Sequence, residues 1–197
     1  MHLTDYVATR WYRAPEILLG STNYTFGVDM WSVGCILGEM LLGKPLFPGA
    51  STINQLEKII ELTGQPDDDV IAKISPYAPT MLQSIQRRDD EAGDGGMSRW
   101  KRKFESVAHA SDQAIDLMQK LLQFDPAKRI DAVAALQHPY VAQFHDPHVE
   151  RTADFKVQVV IDDNDKKSTA VYREMLYHEI QKMKKGPRGA HAAPPAM

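Results

Sequence analysis

The chain has 197 residues, of which 43% are apolar, and a formal net charge of −3. Those values suit one soluble globular domain plus a tail, and they give no overall attraction to nucleic acid or to an anionic membrane. The single cysteine, Cys35, excludes an intramolecular disulfide and a cysteine zinc cluster, and its apolar neighbours mark it as a buried, inert thiol.

In chain order, residues 1–20 read as an irregular loop running into a short helix at 16–19, closed by Gly20. A polar link leads to 28–42, which is apolar on nearly every side and so predicts a helix covered all round. Its most apolar part, residues 36–42, is far short of the ~20 residues of a membrane span. Gly43-Lys44-Pro45 ends that helix. Thr52 is the expected cap of the next one, whose apolar positions Ile53, Leu56 and Ile60 recur at three- and four-residue steps and which stops at Gly64 and Pro66. Periodicity is lost over 65–98, which reads as a surface insertion with short helical turns and a charged, glycine-rich tip at 87–96. Ser111 is placed to cap an amphipathic helix carrying Ile115, Met118, Leu121 and Leu122. Asp131 starts a short one through Leu136, halted before Pro139. An apolar alternation at 155–161 could be extended. Val171, Met175, Ile180 and Met183 predict a last helix at about 168–185, followed by a Gly/Pro/Ala-rich end expected to be disordered. None of the seven histidines has metal-ligand spacing with supporting carboxylates; His138, before Pro139, reads as packing.

The most specific stretch is 4–16, Thr-Asp-Tyr-Val-Ala-Thr-Arg-Trp-Tyr-Arg-Ala-Pro-Glu. Two phosphorylatable hydroxyls, Thr4 and Tyr6, precede Arg10 and Arg13. Those arginines are near enough for guanidinium forks to grip a phosphate if the loop folds back. The order resembles the end of a protein-kinase activation segment, and the Thr-x-Tyr form resembles the mitogen-activated protein kinases. The resemblance covers residues 3 to about 145 and extends weakly to 171–177. The 34–40 run and the short insertion look most similar to the atypical extracellular-signal-regulated group.

By that resemblance the fold is mainly α: the helical C-terminal (large) lobe of a kinase, with the small lobe and catalytic loop absent. Residues 1–20 would hold the activation-segment end and the Ala-Pro-Glu helix. Residues 21–145 would form the helical lobe with an insertion at 65–105, and 146–197 a C-terminal extension. The resemblance also implies that Arg10 and Arg13 hold phosphorylated Tyr6. Val7, Thr9, Trp11 and Tyr12 would belong to the substrate-binding loop, whose preference for proline after the phosphoacceptor fits a residue that lacks an amide donor. Glu16 is expected to form a buried ion pair with Arg129, and Asp29 to anchor the catalytic loop rather than to react. Leu18, Leu19, Ile53 and Leu56 match a docking pocket for aromatic motifs, with Thr52 standing where a tyrosine is usual. Asp146 matches an acidic docking groove in which Val149 replaces a second aspartate.

No Gly-rich loop, Val-Ala-Ile-Lys, His-Arg-Asp or Asp-Phe-Gly motif occurs among the 197 residues. No catalytic, cofactor or metal residue is therefore expected in this chain; ATP and Mg²⁺ belong to the complete kinase. The expected function is the switch and docking portion of a Ser/Thr kinase acting on Ser/Thr-Pro sites. The expected partners are an upstream dual-specificity kinase, protein substrates, docking peptides and the missing N-terminal half, without nucleic acid or membrane. The alternatives are a non-catalytic docking or decoy module, or a truncated gene product without independent activity. No signal peptide is visible, so the expected location is cytoplasmic, nuclear or both.

Overall fold

A computed structural model of the chain describes residues 10–23, 25–85, 99–150 and 167–185. The chain divides into one unit over 1–150 and a second over 151–197. In the second unit the described residues form one helix, Thr169–Lys185 (α9). The extended segment expected at 155–161, the tip at 87–96 and the end from 186 lie outside the described residues.

The first unit begins with a 3₁₀ turn at Arg10–Tyr12 and a buried four-residue helix, Pro15–Leu18 (α1). Ala14 is extended (ψ 150°), as a residue before proline prefers, and Pro15 opens the helix where its missing N–H costs nothing. Gly27–Leu42 (α2) follows and ends at Gly43, whose φ of +67° is a left-handed cap that favours glycine. Thr52–Thr63 (α3) is capped by Ser51, whose side chain accepts from the Asn54 amide, so the cap lies one residue before the expected Thr52.

The insertion is more ordered than its loss of periodicity implies. Asp68–Ile74 (α4) packs on Ala78–Gln83 (α5), and Ile71, Ile74, Ala78 and Leu82 reach the common core. Arg99–Phe104 (α6) packs against α3 through buried Trp100 and Phe104. Asp112–Leu121 (α7) is capped by Ser111 and Ala132–Leu136 (α8) by Asp131, each side chain accepting the amide three residues on.

The core gathers side chains from α2, α3 and the α7 end, among them Trp31, Leu56, Ile59, Met118 and Leu122. Each such side chain contributes roughly 1.5–3 kcal/mol on burial. Gly34 permits the close approach of α2 to α7: a Cβ there would sit 2.8 Å from Leu122 and 2.9 Å from Leu121. The other side of α2 is not covered as its all-round apolarity predicts. Val33 and Ile36 are about half exposed and Met40 is 74% exposed. Among the described residues no helix is long and apolar enough to cross a membrane.

Candidate functional site

Glu16, on α1, and Arg129, in the loop between α7 and α8, meet in the interior. Arg129 Nη1 and Nη2 donate to Glu16 Oε1 and Oε2 at 2.7 and 2.9 Å, a two-pronged carboxylate grip. Its Nε and Nη2 also donate to the Gln123 carbonyl, both at 3.1 Å, and Nη1 donates to the Gly27 carbonyl at 2.7 Å. All five N–H groups of the guanidinium are thus engaged. Its carbon lies 5.2 Å from the Trp31 ring centre, and Trp31 stacks on Phe47. One side chain therefore ties α1, the start of α2 and the end of α7 together without leaving a buried donor unmet.

Upstream of this anchor, the 10–12 turn is held from three sides. Arg10 Nη1 donates to the Ala50 carbonyl at 3.1 Å, and Trp11 Nε1 donates to the Gly49 carbonyl at 3.0 Å. The Tyr12 hydroxyl donates to Glu39 on α2, while Ser32 Oγ donates to the Tyr12 carbonyl at 2.9 Å. The carboxylate bond to Glu39, then burial, hold the Tyr12 phenol above its ordinary value of 10.0.

Gln55 completes this frame. Fully buried on α3, it accepts from the Gly49 amide through Oε1 at 3.0 Å and donates through Nε2 to the Trp11 carbonyl at 3.3 Å. A Cβ at Gly49 would run into the Gln55 backbone, so glycine is what lets the loop lie against α3. Gln55, Glu39, Ser32 and Gly49 were not among the residues singled out from sequence. The available signal was Gln55 itself, an amide adjoining the apolar stripe of α3.

Of the remaining sequence-derived residues, Thr4, Tyr6, Val7 and Thr9 lie outside the described residues. Arg13 is half-buried, its amide donating to the Arg10 carbonyl at 3.1 Å. Asp29 is exposed on the first turn of α2. Leu18, Leu19 and Leu56 are buried in the core, leaving Ile53 as the partly accessible member of that docking set. Asp146 is exposed and folds locally: its carboxylate accepts from the His148 amide at 2.9 Å, and its amide donates to Glu150 at 3.1 Å.

A second polar cluster, not anticipated, joins α7 to the segment after α8. The Tyr140 amide donates to His138 Nδ1 at 3.2 Å, so the ring proton sits on Nε2 and is given to Asp116 Oδ2 at 2.7 Å. Lys120 donates to the same oxygen at 2.6 Å. These donors, Lys120 first, hold the Asp116 carboxyl below its ordinary value. Burial above all pushes the Cys35 thiol far above the physiological range, which makes it inert.

The sequence holds none of the phosphate-cradling or metal-binding kinase motifs, and among the described residues no three His, Cys, Asp or Glu side chains gather as cation ligands do.

The protein kinase domain family matches residues 1–141. The chain belongs to the protein kinase family. It is 52% identical over 193 residues to extracellular signal-regulated kinase 2 of Dictyostelium discoideum, covering 98% of this chain and 50% of that one. It is 49% identical over 185 residues to mitogen-activated protein kinase 15 of Xenopus laevis, covering 92% of this chain and 30% of the relative. Against the mitogen-activated protein kinase HOG1 of Candida albicans the identity is 45% over 179 residues, or 90% and 45% of the two chains. The chain thus spans half or less of the length of each of these relatives. Among solved structures, the MAP kinase LmaMPK10 from Leishmania major superposes with a TM-score of 0.68 at 31% identity, covering 88% of this chain and 48% of that one.

Proposed function

We propose that this chain is the large-lobe portion of a mitogen-activated Ser/Thr protein kinase, carrying its phosphorylation switch and part of its substrate surface. The observation that carries the reading is the buried two-pronged bond between Glu16 and Arg129, which fixes the Ala-Pro-Glu end of the 4–16 stretch. The 10–12 turn, clamped through Trp11, Tyr12 and Gln55, would give a substrate segment a rigid floor. On this reading Thr4 and Tyr6 are the phosphoacceptors, and Arg10 and Arg13 hold the phosphate on Tyr6. Asp146 and Ile53 are the residues through which docking peptides would be felt. Mg-ATP supplies the phosphoryl group in the complete kinase, and no residue of this sequence is assigned to hold it. The 197 residues by themselves transfer no phosphoryl group.

Phosphorylation by an activated MAP kinase kinase tests the reading. Mass spectrometry of the treated chain is expected to find phosphate on both Thr4 and Tyr6, and none on the Thr4→Ala, Tyr6→Phe double variant. An unmodified chain, beside a full-length MAP kinase modified in the same reaction, would overturn it. Transfer of phosphate to a protein substrate by the purified chain alone would overturn the claim of dependence.

A further inference from the structure

The short helix α6 carries Arg99, Lys101, Arg102 and Lys103 around two rings, Trp100 and Phe104, that are buried where it packs on α3. With the rings turned inward, Lys101, Arg102 and Lys103 are exposed. Two more lysines join them from other elements. Lys58 is half-buried on α3, and Lys44 is exposed just past the Gly43 cap of α2. Both act on Lys103: burial first, then Lys44, hold its amine below the ordinary value, with Lys58 adding to them and Glu61 opposing.

These cations differ in how they are matched. Lys101 stands 3.8 Å from Asp112, and Arg102 and Glu61 have partners of their own. Among the described residues, the ammonium groups of Lys44, Lys58 and Lys103 enter no ion pair and no hydrogen bond. Carboxylates are not scarce, since the chain has 26 acidic residues against 23 lysines and arginines. Three like charges brought together from three elements repel one another and work against the fold. Such a local conflict is characteristic of a functional surface, where the missing charge comes from outside.

The type of cation selects the anion. Lysine is a point charge with three rotatable donors, suited to phosphate rather than to planar, two-pronged recognition. A phosphate monoester brings close to two negative charges and three acceptor oxygens at neutral pH, whereas a carboxylate brings one charge. The net charge of −3 gives the chain no long-range attraction to an extended polyanion such as a membrane surface, and a single compact dianion needs only the local donors.

We propose that Lys44, Lys58 and Lys103 form a docking point for a phosphoserine or phosphothreonine side chain of a partner polypeptide. The three ammonium groups share the phosphate oxygens. Lys101, whose pairing with Asp112 is long and exposed, continues the donor surface along α6 for the carbonyl groups beside the phosphorylated residue. The inference does not rest on the kinase reading, because none of these residues belongs to the 4–16 stretch or to the Glu16–Arg129 anchor.

Titration of the ¹⁵N-labelled full chain with acetyl-Gly-phosphoserine-Gly-amide, following the backbone amides of Lys58 and Lys103, tests the proposal. A saturable shift is expected, weakened about fivefold or more by Lys103→Gln and by Lys58→Gln. Acetyl-Gly-Glu-Gly-amide should bind at least about fivefold more weakly than the phosphopeptide, and inorganic phosphate, which lacks the flanking carbonyls, at least about threefold more weakly. Lys103→Gln relieves repulsion, so its Tm should equal or exceed that of the parent chain, which separates loss of binding from loss of fold. No saturable shift, equal binding of the glutamate peptide or of inorganic phosphate, indifference to both lysine variants, or shifts produced by phosphatidylserine vesicles but not by the phosphopeptide would each overturn the proposal.

Discussion

Two polar clusters in this molecule have nearly the same bond lengths and opposite surroundings. Glu16 and Arg129 meet at 2.7 Å with side chains 3% and 0% exposed, whereas Asp116 meets Lys120 at 2.6 Å with both about half exposed. Distance therefore says little about how much either holds. Water competes for the Asp116–Lys120 pair at every moment, and losing one of the two returns the other to solvent. In the Arg129 cluster no water replaces a lost partner, and the survivor is a charge stranded in the interior. The same geometry is a rim decoration in one place and a keystone in the other.

Replacing Arg129 by alanine is expected to give the largest effect, about 3–5 kcal/mol lost in urea unfolding of the purified chain, because Glu16 is left charged and buried. Pairing Arg129→Met with Glu16→Leu sharpens the point. Removing both charges should recover only part of the loss, because three of the five guanidinium bonds go to the carbonyls of Gln123 and Gly27, which the double variant still strands. Full recovery would show that the ion pair alone matters.

Gln55→Leu comes next, at about 1–3 kcal/mol, since it orphans the buried Gly49 amide and loosens Trp11. Amide exchange should quicken at Gly49 more than along α7. Tyr12→Phe should cost about 1 kcal/mol near neutral pH. The Tyr12 phenol is raised in the folded chain, so its contribution is complete below the unfolded-state value of 10.0 and disappears as pH climbs through the folded value. The stability difference between the chain and its Tyr12→Phe variant should shrink along that alkaline limb.

Asp116→Asn, in the exposed cluster, should cost under about 1 kcal/mol. Its carboxyl is lowered on folding, so the contribution is present above the unfolded-state value of 3.8 and is lost as pH falls through the folded value. A loss as large as that of Arg129→Ala would break the contrast between the two clusters.

What was legible from residues alone follows from how local the cause is. The helices at 52–63 and 112–121 announce themselves through an apolar stripe at helical spacing and through serine caps. Glu16 and Arg129 could be paired because each stands inside a recognisable motif, although they are far apart in the chain. By contrast, α6 is charged at four of its six positions, and only Trp100 and Phe104, one turn apart, betray its inner face. The frame around Trp11 was invisible because its parts come from three elements, and a buried amide such as Gln55 looks polar until its two partners are in place. The bare side of α2 shows the converse. Uniform apolarity predicts cover on every side, yet pattern alone does not say which element supplies it.

The hub at Arg129 has a consequence for how the chain is made. It closes contacts 113 and 102 residues apart in sequence, to Glu16 and Gly27. Synthesis proceeds from the N-terminus, so α1 and α2 leave the ribosome long before the arginine that locks them exists. Until then the Glu16 carboxylate has no guanidinium to meet and is better left in water. These first helices must therefore stay unsettled until the 102 residues that separate Gly27 from Arg129 have been translated.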